Sequence, residues 1–125
     1  MKKVNVLISW SGDNYCVGTG EVNGLVVATH KNLEDAKNEF SEAFAFHIDD
    51  TDSIENYTFI FEVQTSALLH QLDGVLSRAA LSRATGINVK QLSHYMTGHR
   101  NPRPLQRQKI INGIHSIGKQ LVEVV

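Results

Sequence analysis

The sequence predicts an α+β chain, with a β-β-β-α-β module over residues 1–64 and an all-α module over residues 65–125. Three observations lead there. Val4, Val6, Ile8 and Trp10 alternate with polar neighbours, the period of a half-buried strand. Leu33, Ala36, Phe40, Ala43, Phe44 and His47 recur at helical spacing. Charge also changes sign along the chain. Residues 1–75 hold four Lys against twelve Asp or Glu, a net of −8, whereas residues 76–125 hold eight Lys or Arg against one Glu, a net of +7. The formal net charge of −1 hides this division.

In the acidic module, VNVLISW is the first strand, SGDN the turn, and YCVGTG its hairpin partner. EVNG turns the chain into a third strand, LVVATH. Asn32 can cap a helix over LEDAKNEFSEAFAFHI, because its side chain can accept from an otherwise unpaired first-turn N–H. Glu34, Asp35, Glu39 and Glu42 take the wet side of that helix. DDTDS is a loop, and YTFIFEV an uninterrupted fourth strand. One helix then lies across one small sheet.

In the basic module the window Leu76–Pro102 carries the most information. Ser77 can cap a helix, RAALSRAT, that points Leu81 inward, and Gly86 ends it because glycine reaches positive φ at little cost. Asn88 can cap a second helix, VKQLSHYM, with Leu92, Tyr95 and Met96 on one side and Val89, Lys90, Ser93 and His94 on the other. Thr97-Gly98 closes it, and His99-Arg100-Asn101-Pro102-Arg103 follows as a basic turn. A plain αα-hairpin in a helical core would share this spacing, but the +7 charge favours nucleic acid. The last helix, from Pro104, carries a broad apolar stripe of Leu105, Ile110, Ile111, Ile114, Ile117 and Leu121, expected to pack on a three-helix core. The closing VEVV could add to a dimer contact.

The window resembles the helix-turn-helix of the lambda-repressor/Cro (Xre) class in its apolar positions, both glycines and the trailing Arg100-Asn101-Pro102. That resemblance implies operator double-stranded DNA as a partner, with Val89, Lys90 and His94 reaching base edges. Asn88 and Gln91 would touch backbone or cap the helix, and Arg78, Arg100 and Arg103 would hold phosphates. Operators are usually read by two-fold dimers, so a homodimer or higher even oligomer is expected.

A hairpin with Asp13-Asn14-Tyr15 at its turn, Gly24 before the third strand and a helix opening Leu33-Glu34-Asp35-Ala36 resemble the HicB-type antitoxins. The likeness spans almost the whole chain, since the helix from Pro104 to Val124 also looks like that family's closing segment. It implies a partial RNase H-like N-terminal module that holds a HicA-like mRNA-cleaving toxin, and a C-terminal module that represses its own operon. The chain has Asn23-Gly24-Leu25 where the family often carries Pro-Gly-Cys, and no toxin-binding residue is assigned.

Several chemistries are excluded. RNase H-like nucleases need carboxylates converging on Mg²⁺, typically one from the first strand, and VNVLISW has none. An EF-hand loop starting at Asp50 would need Gly where Glu55 stands and Glu where Phe61 stands. The glycines of GTGEVNG lack dinucleotide-binding spacing. The six histidines show no metal-ligand spacing, and no catalytic triad or nucleophile elbow is present. No catalytic residue, metal or cofactor is expected. Apolar runs are too short to cross a membrane. MKKVNVLISW reads as a strand instead of a signal peptide, and Asn56-Tyr57-Thr58, a glycosylation acceptor pattern, has no meaning without secretion. The lone Cys16 fits a reducing cytosol, so a cytoplasmic location is expected.

The expected function is therefore an antitoxin that also acts as a repressor, not an enzyme. A stand-alone helix-turn-helix repressor with a sensing or dimerising N-terminal module fits the same features, and a residual RNase H-like nuclease is the third reading.

Overall fold

The computed structural model describes residues 1–19 and 26–124. The EVNG turn, the start of LVVATH, the Asn23-Gly24-Leu25 departure and the final Val125 lie outside the described residues. Among these residues the fold is α+β, with a four-stranded mixed sheet and five α-helices. It divides into two compact units, Met1–Ala67 and Leu68–Val125.

In the first unit, β1 (Lys2–Trp10), β2 (Tyr15–Gly18), β3 (Val27–His30) and β4 (Tyr57–Val63) lie in the order β3-β2-β1-β4. Trp10 opposes Tyr15 at the end of the first hairpin, their rings edge to face at 4.9 Å, and Ser11 N–H closes the turn on the Asn14 carbonyl. Two antiparallel steps make β3 run in the direction of β1. Helix α1 (Leu33–His47) then carries the chain back, so β4 enters parallel to β1. Asn32 caps α1 by accepting from Asp35 N–H at 3.1 Å.

Alternation sends Val6, Ile8, Val17 and Ala28 toward α1, where they meet Ala36, Phe40 and Phe44. Phe59 packs edge to face on both Phe40 and Phe44 at 5.1 Å. Apolar burial of this kind is worth about 1.5–3 kcal/mol for each large side chain. His47 departs from the expected inward face and is exposed, because α1 ends there and Ile48 turns in instead. Phe46, one residue before, is 93% exposed. α1 covers one side of the sheet only.

Asp52 organises the loop before β4, which includes a 3-10 turn at Ile54–Asn56. Its carboxylate accepts from Asn56 Nδ2 at 2.7 Å, Tyr57 Oη at 2.6 Å, Lys2 Nζ at 2.9 Å and Ser53 N–H at 2.9 Å. The loop is thereby tied to the start of β1. Hydrogen bonds from Asn56, Tyr57 and Lys2 hold the Asp52 carboxyl well below the usual carboxylate range, and Asp52 in turn pushes Lys2 up.

In the second unit, α3 (Arg78–Thr85), α4 (Val89–Thr97) and α5 (Pro104–Glu123) surround Leu69, Leu81, Ile87, Leu92, Tyr95, Met96 and Ile110. Leu69 comes from α2 (Thr65–Leu72), a helix that the sequence pattern does not announce. α2 also carries Ala67, which is buried in the first unit's core. Ser77 caps α3 and Asn88 caps α4, while Gly86 and Gly98 end them at φ of 74° and 78°. The stripe on α5 is narrower than expected. Ile110 is buried and Ile114 and Ile117 partly so, whereas Leu105 is 81% exposed and Leu121, Val122 and Val124 face solvent. Leu105 stands five residues before Ile110, about 140° round the helix, and so points away from the core.

Gly113 sets how closely α5 approaches α3. A Cβ built there would lie 2.5 Å from Thr85 Cγ2 and 3.4 Å from the Ala84 carbonyl. Thr85 cannot rotate away freely, because its hydroxyl donates to the Leu81 carbonyl at 2.7 Å and accepts from Ile87 N–H at 3.2 Å. Gly113→Ala should therefore destabilise the chain despite a helix-propensity gain of about 1 kcal/mol, with overpacking costing about 1–3 kcal/mol. Chemical denaturation measures the balance, and a stabilised variant would contradict this packing.

The Asp52 node predicts a pH dependence. A depressed folded pKa contributes stability above the ordinary carboxylate pKa, and that contribution is lost as pH falls from there toward the folded value. The raised Lys2 value acts at the other end, present below its ordinary pKa and lost as pH rises through the raised one. Asp52→Ala should lower the thermal midpoint at pH 7, and its gap from the native chain should narrow as pH falls below about 4. A gap independent of pH would remove the carboxylate from this role.

Candidate nucleic-acid interface

α4 presents its sequence in two faces, as 3.6 residues per turn require. Leu92, Tyr95 and Met96 are buried, while Asn88, Val89 and Lys90 are exposed at the first turn. Asn88 is fixed as the cap, its side chain accepting from Gln91 N–H at 2.8 Å. Val89 is 43% exposed, an aliphatic side chain held at the surface beside the Lys90 ammonium. These two residues contribute nothing to the core and are available to an external ligand.

Gln91 is half-buried and engaged within the protein. Its Nε2 donates to Tyr95 Oη at 2.9 Å, and Gln106 Nε2 on α5 reaches the same phenol oxygen at 3.5 Å. A buried phenol thus links the exposed side of α4 to the first turns of α5, a link that residue spacing cannot reveal.

His94 differs from its expected outward placement. It is half-buried, its ring centroid is 5.0 Å from that of His99, and its Nδ1 is buried without a hydrogen-bond partner. The cause is the reversal at Gly98, which folds the next residues back so that Arg100 N–H donates to the His94 carbonyl at 3.2 Å.

The three arginines separate into two kinds. Arg78 Nη1 donates to Ser93 Oγ at 3.1 Å, Nη2 contacts Met96 Sδ at 3.2 Å, and Nε lies 3.9 Å from Asp73. Ser93 meanwhile donates to the Val89 carbonyl at 3.0 Å. Arg78 therefore joins the start of α3 to the middle of α4 and is already occupied. Arg100 and Arg103 are exposed around the turn into α5, where Arg103 stands at the cap position without a side-chain cap bond.

The site offers exposed cations, one aliphatic side chain and capped helix ends, with no cluster of three or more His, Cys, Asp or Glu that could hold a metal among the described residues. Among the same residues no helix is long and apolar enough to cross a membrane. Compared with protein-family models, curated proteins and solved structures, the chain matches none.

The geometry predicts different behaviour for the two kinds of arginine. On duplex DNA, Arg100→Ala and Arg103→Ala should each flatten the plot of log affinity against log salt by about 1, with stability unchanged within about 0.5 kcal/mol. Arg78→Ala should instead lower stability by about 1 kcal/mol, through the lost Ser93 and Asp73 contacts, partly screened by solvent. Salt titrations and thermal melts on the three variants decide this. An unchanged melt for Arg78→Ala would return it to the phosphate-contacting group.

Proposed function

We propose that this chain is an antitoxin of a toxin–antitoxin pair that also represses its own operon. α3, the Gly86 turn and α4 serve as a helix-turn-helix for operator DNA. The observation that carries the reading is the exposed first turn of α4, Val89 and Lys90, on a helix capped at both ends within the basic half. Lys90 can donate to guanine O6 and N7, and Val89 can pack on a thymine methyl. His94 is left as a weaker contributor at the far end, through Nε2. Arg100 and Arg103 supply phosphate contacts, and Arg78 holds α4 in place.

The acidic unit, read as a partial RNase H-like module, takes a HicA-like mRNA-cleaving toxin. Its exposed Glu34, Asp35, Glu39 and Glu42 on α1, ending at the solvent-facing Phe46, suit a basic partner with an apolar socket. It is read as non-catalytic because β1 carries no carboxylate. Occupying a toxin requires only a surface.

Two arms test the proposal. In the first, the full chain is titrated onto the DNA upstream of its own coding sequence. Lys90→Ala should cost roughly 1–3 kcal/mol and change base preference, and unchanged binding would take Lys90 out of the readout. In the second, residues 1–67, the first compact unit, are co-expressed with a HicA-like toxin. Ending at Ala67 keeps that buried residue in its core. Growth rescue and co-purification are expected. Their joint absence, with the fragment folded, would leave a stand-alone repressor.

A further inference from the structure

We propose that the outer edge of β4 is a self-pairing surface, on which β4 of a second copy of this chain docks antiparallel about a two-fold axis at Ile60. β4 ends the order β3-β2-β1-β4, and no described strand pairs with its far side. It is seven residues long, YTFIFEV, and its ladder with β1 runs without a bulge from Tyr57 to Val63. Edge strands normally carry Lys, Pro or a bulge against association. This one has no Lys, Pro or bulge, its one charge being Glu62, and leaves Ile60 43% and Phe61 39% exposed.

Backbone geometry defines which groups are available. Gln64 N–H donates to the Ile8 carbonyl at 2.9 Å, so in a parallel ladder Glu62, Ile60 and Thr58 also direct N–H and C=O toward β1. Phe59 and Phe61, at the alternate positions, direct theirs outward. Tyr57 N–H obeys the same alternation, leaving the sheet to donate to the Ile54 carbonyl.

Phe59 and Phe61 stand symmetrically about Ile60, which is why the occupant is a second copy. With the axis at Ile60, each Phe59 opposes the other copy's Phe61, and the two residues exchange N–H···O bonds in both directions. Ile60 meets its own copy as a non-hydrogen-bonded pair, the kind with the closest side chains, Cα atoms about 4.5 Å apart. Thr58 opposes Glu62, so the single carboxylate of β4 never faces itself. Aromatic pairs fall on the α1 side and isoleucines on the open side, and a one-residue slip would mix the two.

Disulfide trapping in the full-length chain tests the register, with Cys16→Ser removing the native thiol. Under mild oxidation Ile60→Cys should give a covalent dimer on a non-reducing gel, since the Cα atoms of such a non-hydrogen-bonded pair lie about 4.5 Å apart, within the span of a disulfide. Thr58→Cys alone and Glu62→Cys alone should stay monomeric on the gel, each being four residues, roughly 13 Å, from its own copy. An equimolar mixture of those two variants should cross-link. All three positions are exposed, so the substitutions spare the core. No cross-link at residue 60, or Thr58→Cys linking to itself as readily as to Glu62→Cys, would overturn the proposal.

Discussion

Leu81, Leu92 and Ile110, none more than 2% exposed, hold α3, α4 and α5 together, and the candidate interface depends on their packing. A unit of this size buries a smaller fraction of its surface than a large domain, so few side chains carry its stability. Leu92, Tyr95 and Met96 fill one side of α4, which determines that Val89 and Lys90 look outward. Gly113 lets α5 approach α3 to a distance that no side chain permits. Orientation of the outward face is thus a consequence of packing on the inward one.

The acidic unit follows the same logic with one helix for four strands. Phe40 and Phe44 on α1 and Phe59 on β4 form the aromatic centre, and alternation on β1 and β2 delivers Val6, Ile8 and Val17 to it. A single helix can cover only one side of the sheet. The opposite side therefore keeps Leu7, Val27 and Ile60 partly exposed, and no described strand pairs with the far side of β4. Meanwhile the outward side of α1 collects carboxylates, because no other role in the packing requires those positions. What the core leaves over is the surface on which any partner must act.

Features governed by local rules were legible in the sequence. Caps at Asn32, Ser77 and Asn88, the left-handed ends at Gly86 and Gly98, the first hairpin and the uninterrupted β4 each depend on neighbours a few residues away. Features that depend on long-range contact were not. Arg78 meets Ser93 fifteen positions on, and Lys2 meets Asp52 fifty positions on, with nothing in either neighbourhood to announce the pairing. His94 fell on the outward side by periodicity, yet the reversal at Gly98 brings His99 against it. α2 is not legible because Thr65–Leu72 follows β4 after a single residue, Gln64, with no Ser, Asn or Asp there to mark a cap. Leu105 shows the opposite failure, since it lies about 140° round the helix from Ile110 and so faces away from the core.

The same division decides which substitutions the basic unit can absorb. Val89 and Lys90 are exposed and outside the core cluster, so changes there alter what α4 presents without altering how it is held. Ser93 and Met96 differ, because the Arg78 side chain engages both and couples the outward side of α4 to the start of α3. Tyr95 couples it to α5 through Gln91 and Gln106. What the first turn presents is therefore separable from stability, whereas one turn later the two are bound together. A helix arranged in this way can change the side chains of its first turn while its second keeps its orientation.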